Sequence, residues 1–138
     1  MKKYLLTVLC LSLLLVGCNA DEPEVQSWES FLSQSGTDYS GLTVSVTTTE
    51  ITTETTELSL VIDNQSACDF SYSEADICLA KKMDGGFVRI PIGGIELAMI
   101  LEAGDSHTVS YSLETTLAKG TYRIGLENCG AYTEFTVS

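Results

Sequence analysis

The sequence predicts an all-β fold, an antiparallel β-sandwich of seven to eight short strands that follows a signal peptide and a short tether. From Leu42 onward the dominant spacing of apolar residues is every second position, as Leu42, Val44 and Val46 illustrate. Glycine, asparagine and aspartate interrupt this alternation at short intervals, as expected for turns between strands. The same stretch contains no convincing long helical pattern. The alternating period and the frequent turns together favour sheets over helices.

The predicted strands follow in order along residues 42–138. The first strand spans 42–46, and a turn rich in threonine and glutamate at 52–56 joins it to a second alternating run at 58–62. The apolar run 95–101 fits either a strand or a short helical crossover. Each of the other strands alternates and is bounded by a turn signal; these strands lie at 70–72, 77–79, 87–90, 109–113, 122–126 and 132–137.

The first 17 residues have the layout of a signal peptide. Two lysines precede an apolar run over residues 4–16, which is shorter than the about 20 residues that a membrane-spanning helix needs. The order Leu15-Val16-Gly17-Cys18 resembles the lipobox of bacterial lipoproteins, in which the cysteine is diacylglycerated and the chain is cut in front of it. This resemblance implies that Cys18 is lipidated and that the protein is anchored at the extracytoplasmic face of the cell membrane.

These features divide the chain into a signal peptide at 1–17, a lipidated N-terminus with an acidic tether at 18–40, and a sandwich domain at 41–138. The tether is polar, with few apolar residues and room for one short helical turn at 28–32. Trp28 could stack on a ligand there. The interpretation that we favour is that Trp28 docks the tether or rests at the lipid interface.

The charge balance excludes some partners. Residues 1–17 carry two lysines and no acidic residue, so the mature chain has five basic against nineteen acidic residues and a net charge of −14. Such a surface repels nucleic acid and anionic lipid head groups. We therefore expect no nucleic-acid partner and regard the acidity as a source of solubility.

Three cysteines remain once the signal peptide is removed and Cys18 carries lipid, namely Cys68, Cys78 and Cys129. Outside the cytoplasm, three thiols allow one disulfide with one thiol left over. A zinc site is disfavoured because His107 is the one histidine and no Cys-x-x-Cys pair exists.

Catalytic motifs are missing from the sequence. There is no Gly-x-Ser-x-Gly turn, and a catalytic triad would have to use His107, which lies just after a predicted turn and is expected to be exposed. The glycine pairs 85–86 and 93–94 fit turns rather than a phosphate-binding loop. We expect no enzymatic activity, no catalytic residue and no cofactor.

One set of acidic residues is a weak candidate for a metal site. Asp63, Asp69 and Asp76, with Asn64 and Glu74 nearby in sequence, could supply oxygen ligands to Ca²⁺ at one end of a sandwich. Their spacing follows no calcium loop, and scattered carboxylates usually solvate a sheet edge. These aspartates are weak candidates for a calcium site.

The stretch Leu117–Ile124 resembles the tyrosine corner of immunoglobulin-like (Ig-like) sandwiches. In that arrangement a tyrosine near the start of a late strand bonds through its hydroxyl to the backbone a few residues upstream. Leu117 and Gly120 precede Tyr122 in this way. The chain departs from antibody-type domains because Ile124 stands where the second cysteine is expected, and no tryptophan lies in the central strands.

The order of features over residues 42–138 is similar to that of bacterial Ig-like domains in lipoproteins of Gram-positive bacteria. The resemblance covers about seventy per cent of the chain. It departs at Phe87, where a tryptophan is common. The family has no established catalytic activity, so the resemblance implies a fold and a setting rather than a chemistry. It is carried by short pieces at 64–66, 70–72, 77–82, 84–87, 103–105, 117–124 and 132–135.

The resemblance also implies a disulfide. In this topology the loop between the second and third core strands lies at the same end as the loop between the last two strands. Cys68 lies near the first loop and Cys129 in the second, so the resemblance favours Cys68–Cys129, with Cys78–Cys129 as the second choice.

The function predicted from these observations is that of a lipid-anchored, extracytoplasmic, non-catalytic Ig-like module. It would bind or scaffold an envelope protein or glycan and contact the membrane through its lipid. One alternative is a peptidase inhibitor of the BsuPI type, another Ig-like group, for which Ile92–Met99 is the one stretch that could form an inhibitory loop. The other alternative is a Ca²⁺-dependent adhesion domain.

Overall fold

The computed structural model of this protein describes residues 23–32, 40–94 and 96–138. Within these ranges the chain forms nine β-strands and two 3-10 helices. The helices span Trp28–Phe31 and Glu74–Asp76. The strands are β1 (Leu42–Val46), β2 (Glu57–Asn64), β3 (Phe70–Tyr72), β4 (Ile77–Met83), β5 (Gly86–Ile90), β6 (Met99–Leu101), β7 (Ser106–Ser112), β8 (Gly120–Leu126) and β9 (Tyr132–Val137).

The strands form antiparallel sheets, which confirms the predicted all-β sandwich. One layer is a four-stranded sheet in the order β5-β4-β8-β9, and the other contains a three-stranded sheet in the order β1-β2-β7. The short strands β3 and β6 pair with each other in a separate two-stranded sheet. The described part of the chain thus has one strand more than the upper limit predicted, because the ambiguous run 95–101 contains β6.

The main core lies between these layers. In β2 every second residue is buried, and Leu58, Leu60 and Ile62 are each at most 1 % exposed. On the four-stranded sheet, Leu79 and Ile124 are buried to a similar degree. The alternation read from the sequence therefore corresponds to a pleat with one face in the core.

The predicted tyrosine corner is confirmed. The Tyr122 hydroxyl donates a hydrogen bond to the Ala118 carbonyl oxygen at 2.7 Å. The Tyr122 ring stacks on Phe135, with 5.5 Å between the ring centroids. This bond fixes the connection that precedes β8.

Asn64 organises one end of the sandwich and is the one buried polar residue among those described. Its Nδ2 donates to the carbonyl oxygens of Cys68 at 2.9 Å and Leu101 at 3.0 Å. Its Oδ1 accepts hydrogen bonds from the backbone N and the Oγ of Ser66. One amide thus satisfies buried backbone groups of the β2–β3 loop and of β6.

The N-terminal segment 23–32 packs on the outer face of the four-stranded sheet. Trp28 and Phe31 form a second cluster of buried residues with Cys78, Ala80 and Phe87. The structure confirms the short helical turn and the docking role of Trp28, which is 3 % exposed.

Arg123 lies within this outer cluster rather than in open solvent. Its guanidinium carbon is 4.3 Å from the ring centroid of Tyr132 and 4.6 Å from that of Phe87. Arg123 Nε lies 3.4 Å from Glu134 Oε1. Cation–π contacts with neighbouring rings and an ion pair hold this charge where the sheet is covered.

The N-terminal segment runs from one end of the four-stranded sheet to the other. Gln26 exchanges backbone hydrogen bonds with Phe87 at the start of β5, and a Cβ at Gly86 would collide with the Gln26 carbonyl oxygen. At the opposite end, a Cβ at Gly130 would lie 3.4 Å from Leu32 Cδ1. We call these the entry end, with the β4–β5 turn, and the far end, with the β8–β9 turn.

Candidate functional site

The outer edge of β7 is one of the two edges of the three-stranded sheet, and β1 forms the other. Backbone bonds from Asn64 N to Asp105 O and from Leu113 N to Thr56 O fix the register between β7 and β2. In an antiparallel pair, hydrogen-bonded residues alternate along the strand, so the odd-numbered residues of β7 bond to β2. The intervening even-numbered residues therefore direct their backbone groups away from β2; they are Ser106, Thr108, Ser110 and Ser112.

No described strand pairs with this edge, because β6 pairs with β3 instead. A cavity of about 380 Å³ lies at the edge. Its volume is within the range of about 300–1,000 Å³ that small ligand sites have. Its walls consist of β7, the connection that follows β7, two glycines and one residue of the second 3-10 helix, namely Ser110, Tyr111, Ser112, Leu113, Glu114, Gly93, Gly94 and Glu74.

The two glycines bring the wall that faces β7 close to two acidic residues. A Cβ at Gly93 would lie 3.2 Å from Glu114 Oε1, and a Cβ at Gly94 would lie 3.0 Å from the Glu74 carbonyl oxygen. Larger residues at 93 and 94 would push this wall away. The cavity is therefore a slot between a strand edge and a glycine segment, with acidic side chains at its borders.

Tyr111 is buried in the wall of this slot, with 2 % of its surface exposed. Its hydroxyl has no hydrogen-bond partner in the described part of the chain. Burial, and after it the nearby Glu74 carboxylate, raises the pKa of Tyr111 above its ordinary value. The hydroxyl is therefore a neutral donor that lacks an acceptor, a state that costs about 1–3 kcal/mol.

The predicted disulfide is absent, because Cys68, Cys78 and Cys129 are all free thiols. The β8–β9 turn does lie beside β3, since Asn128 Nδ2 donates to Ser71 O at 3.1 Å. The thiols nevertheless occupy different surroundings. Cys68 is exposed and Cys129 packs against the main core. The second-choice pair fails for a similar reason, since Cys78 is fully buried in the outer cluster.

The weak calcium candidates do not form a metal site. Among the described residues no group of three histidine, cysteine, aspartate or glutamate side chains could hold a metal ion. Asp69 Oδ1 accepts from Ala103 N at 3.0 Å, and Asp76 Oδ2 accepts from Ser73 N at 2.7 Å. The Asp63 carboxylate accepts from its neighbour Gln65. Asp63 and Asp76 therefore each serve a local turn, and Asp69 joins its loop to the turn before β7.

His107 is half-buried rather than exposed, which corrects the prediction. It is the second residue of β7, and its Nδ1 lies 2.9 Å from the Tyr72 hydroxyl, within hydrogen-bond distance. The two rings are tilted, with 6.0 Å between their centroids. The imidazole thus joins β7 to β3 in the wall of the sandwich.

Among the described residues between β5 and β6, Leu97 is a large apolar residue that is open to solvent. Ile92 and Met99 are partly buried against the main core. Leu97, between them, is 67 % exposed. The segment is therefore anchored on both sides of an exposed leucine.

The predicted lipidation site, Cys18, lies outside the described residues. Within the described ranges, no helix has the length and apolar character that crossing a membrane requires.

Two features of the surface were missed from the sequence, namely the β7 edge and the aromatic surroundings of Arg123. The even-numbered positions of β7 are all serine or threonine, and this is a weak signal of a solvated edge. The pairing of β3 with β6, which leaves β7 without an outer neighbour, has no local signature. Arg123 faces outward on the four-stranded sheet, but its guanidinium lies over aromatic rings rather than in solvent.

Residues 38–136 match a known protein family, described as a bacterial Ig-like domain. The match covers the nine strands and agrees with the features that resemble such domains in the sequence. No curated protein matches the chain.

Proposed function

Because this chain belongs to the family of bacterial Ig-like domains, we propose that it is a lipid-anchored recognition module displayed outside the cytoplasmic membrane. Ig-like domains are generally non-catalytic extracellular modules, which supports a binding or scaffolding role. The order Leu15-Val16-Gly17-Cys18 supports lipidation at Cys18. A diacylglycerol carries two acyl chains, enough for stable attachment without attraction between the acidic surface and anionic lipids.

The packing of residues 23–32 on the four-stranded sheet carries this proposal. Gln26, eight residues after Cys18, is already bonded to the sandwich through Phe87. Eight residues span at most about 29 Å when fully extended. The sandwich therefore stays near the membrane surface.

The docking direction gives the module an orientation. The chain reaches the sandwich at the entry end, where Gln26 pairs with Phe87. This end faces the membrane. The far end then points away from the membrane and presents its loops to envelope proteins or glycans; these loops span 65–69, 102–105 and 127–131.

Fractionation of cells that express the full chain tests the anchor. Cells grown with a clickable fatty acid should label the wild-type protein and retain it in membranes. The variant Cys18→Ala should lose the label and either leave the membrane fraction or remain unprocessed. Cys68→Ala, which removes an exposed free thiol, is the matched control and should behave as wild type. Undiminished label and membrane retention in Cys18→Ala would exclude the lipid anchor.

The orientation has its own test in proteoliposomes. Asp84→Cys and Asp105→Cys, each in a Cys68→Ala background, provide matched positions because both aspartates are exposed in tight turns next to a glycine. A fluorophore at position 84, at the entry end, should be quenched by head-group quenchers more strongly than one at position 105. Equal quenching, or the reverse order, would refute the orientation.

A second candidate function, peptidase inhibition, is favoured by the exposure of Leu97 in a segment anchored at both sides. Purified protein would be assayed against serine, cysteine and metallopeptidases. An inhibitor should lose potency in Leu97→Ala and keep it in Ile100→Ala, a control residue that is 64 % exposed. No inhibition by the wild type, or equal potency of the two variants, would remove this candidate.

A further inference from the structure

The edge of β7 offers hydrogen-bonding groups at the spacing of a missing strand. Thr108, Ser110 and Ser112 direct backbone groups to the same side and have no backbone partner there in the described part of the chain. An extended peptide forms its main-chain bonds with such an edge. Natural sheets often protect exposed edges with lysine, proline or a bulge, and β7 contains neither lysine nor proline.

The cavity beside Ser110 and Ser112 provides room for that peptide. It extends from the β7 edge to Gly93 and Gly94, and its opposite wall carries no side chain at these two positions.

The charge around the β7 edge determines which kind of peptide it would attract. The five basic residues of the described ranges lie on the four-stranded sheet or directly before β8; they are Lys81, Lys82, Arg89, Lys119 and Arg123. The three-stranded sheet therefore carries no lysine or arginine, and Glu74 and Glu114 border the slot. A cationic partner is attracted to such a region, whereas an acidic partner is repelled.

We propose that the β7 edge binds an extended, cationic peptide segment of an envelope partner by β-strand addition between β7 and the Gly93–Gly94 segment. This inference deepens the proposed recognition role and rests on it, but it does not depend on the lipid anchor. It commits to a peptide rather than a second copy of this chain. Two copies joined at this edge would bring Glu74 and Glu114 of both against each other.

Binding of synthetic octapeptides to the lipidated protein in detergent micelles tests this proposal. The probe alternates lysine and valine. One control is the same peptide with alternate amides N-methylated, which keeps the charge but cannot add to a sheet edge. A second control alternates glutamate and valine. Calorimetry would give the dissociation constants, and hydrogen exchange would show which backbone amides become protected.

The lysine–valine peptide should bind and protect the amides of Thr108, Ser110 and Ser112. N-methylation should weaken binding by at least about tenfold, because two or three main-chain bonds are lost. The glutamate peptide should not bind. Equal binding of the first two peptides would show that charge alone attracts them and would overturn the proposal. Absence of binding, or protection confined to other strands, would also overturn it.

Variants of the protein give a second line of test. Ser110→Pro removes an N–H that faces away from β2, so it blocks the edge without removing a ladder bond, and it should weaken binding by about tenfold. Glu114→Lys should weaken binding by about threefold more than Glu50→Lys, which makes the same charge change in an exposed loop residue that does not line the slot. If Ser110→Pro fails to fold, the two glutamate variants decide the outcome, and equal effects of the two refute the proposal.

Failure of this inference can be separated from failure of the proposed function. Suppose that Cys18 anchors the protein, that a captured partner cross-links to the far-end loops, and that the lysine–valine peptide does not bind. The proposal for the β7 edge is then wrong, whereas the proposed function as an anchored recognition module is retained. If the peptide protects β7 but Cys18→Ala still enters membranes with its fatty-acid label, lipid anchoring at Cys18 is refuted and the proposal for the β7 edge is retained.

Discussion

The two faces of the four-stranded sheet are closed in different ways. The inner face, with Ile77, Leu79 and Ile124, is covered by strands of the opposite layer and contains only apolar contacts and the tyrosine corner. The outer face, with Cys78 and Ala80, is covered by residues 23–32. Alternate residues of one strand, β4, thus belong to two separate clusters. The inner cluster requires the whole fold, whereas the outer one requires a single segment.

The outer cover should therefore be able to open while the sandwich stays folded. Its backbone attachment is the isolated pairing of Gln26 with Phe87, with bonds of 2.7 and 2.8 Å. The rest of its attachment is the packing of Trp28 and Phe31. Segments with few backbone bonds open locally at a lower free energy than global unfolding. The predictions below test this difference between the two faces.

The largest effect is expected on the inner face. Leu79→Ala should lower the free energy of unfolding by about 2–5 kcal/mol, because Leu79 is fully buried and its truncation leaves a cavity in the main core. Urea denaturation followed by fluorescence measures this loss. Leu97→Ala, at a position that is 67 % exposed, is the control and should change stability by less than about 0.5 kcal/mol. A similar small loss at Leu79 would contradict the assignment of the inner face.

On the outer face, Trp28→Ala should lower the free energy for opening the cover by about 2 kcal/mol, as expected for a lost large apolar side chain. The free energy of global unfolding should fall by less in this variant than in Leu79→Ala. The reporter is Cys78, which is 0 % exposed beneath the cover and should become labelled by a thiol reagent in the native state. Peptide mapping by mass spectrometry would separate its label from that of Cys68.

Val25→Ala is the matched control for the tryptophan variant, because Val25 lies on the same segment and is 43 % exposed. It should leave Cys78 protected. If Trp28→Ala also leaves Cys78 protected, or if both clusters melt in one transition with a loss as large as that of Leu79→Ala, the outer cover is not a separate unit.

The sequence predicted the inner face more completely than the outer one. Period-two alternation is a local pattern, and Leu58 and Ile124 are buried where it places them. The turn containing Trp28 and its docking role were also predicted. The surface on which Trp28 docks was not predicted, because the sequence around Cys78 and Ala80 is equally compatible with a solvated face. Which segment covers a sheet is a long-range contact without a local sequence pattern.

The candidate site was less predictable than the fold for the same reason. Its edge exists because β3 pairs with β6 rather than β6 with β7, and such pairings depend on residues that are distant in sequence. The sequence does not predict that the Tyr111 hydroxyl lacks a hydrogen-bond partner. Tyr122 follows the same alternation, and its hydroxyl has a partner. Cys68 and Cys129 are free thiols in the structure, although both loops belong to the far end.

The pH dependence of stability tests how well the outer face is covered at Cys78. Burial raises the pKa of the Cys78 thiol from its ordinary value of 9.0 to about 11. Well below pH 9.0 the thiol is protonated in both states and its contribution is fully present. Between pH 9.0 and about 11 the unfolded chain loses this proton first, so this contribution falls as pH rises.

Urea denaturation of the wild type and of Cys78→Ala, well below pH 9.0 and near pH 11, measures this dependence. The stability advantage of the wild type over the variant should shrink as pH rises. Comparison with the variant removes the contribution of tyrosines that titrate in the same range. An advantage that stays constant would mean that Cys78 is accessible to water and that the cover is open in the native state.

The smallest effect is expected at the tyrosine corner, on the inner side of β8. Tyr122→Phe should cost about 1 kcal/mol, because it removes the hydrogen bond to the Ala118 carbonyl and keeps the ring stacked on Phe135. Tyr132→Phe is the control, since Tyr132 is 45 % exposed and its ring rather than its hydroxyl contacts Arg123. Neither variant should expose Cys78 to thiol reagents, because neither removes apolar packing from the outer cover. Equal stability of the two variants in urea denaturation would show that the corner bond contributes no more than a solvated hydroxyl does. Exposure of Cys78 in Tyr122→Phe would show instead that the two faces of the sheet open together.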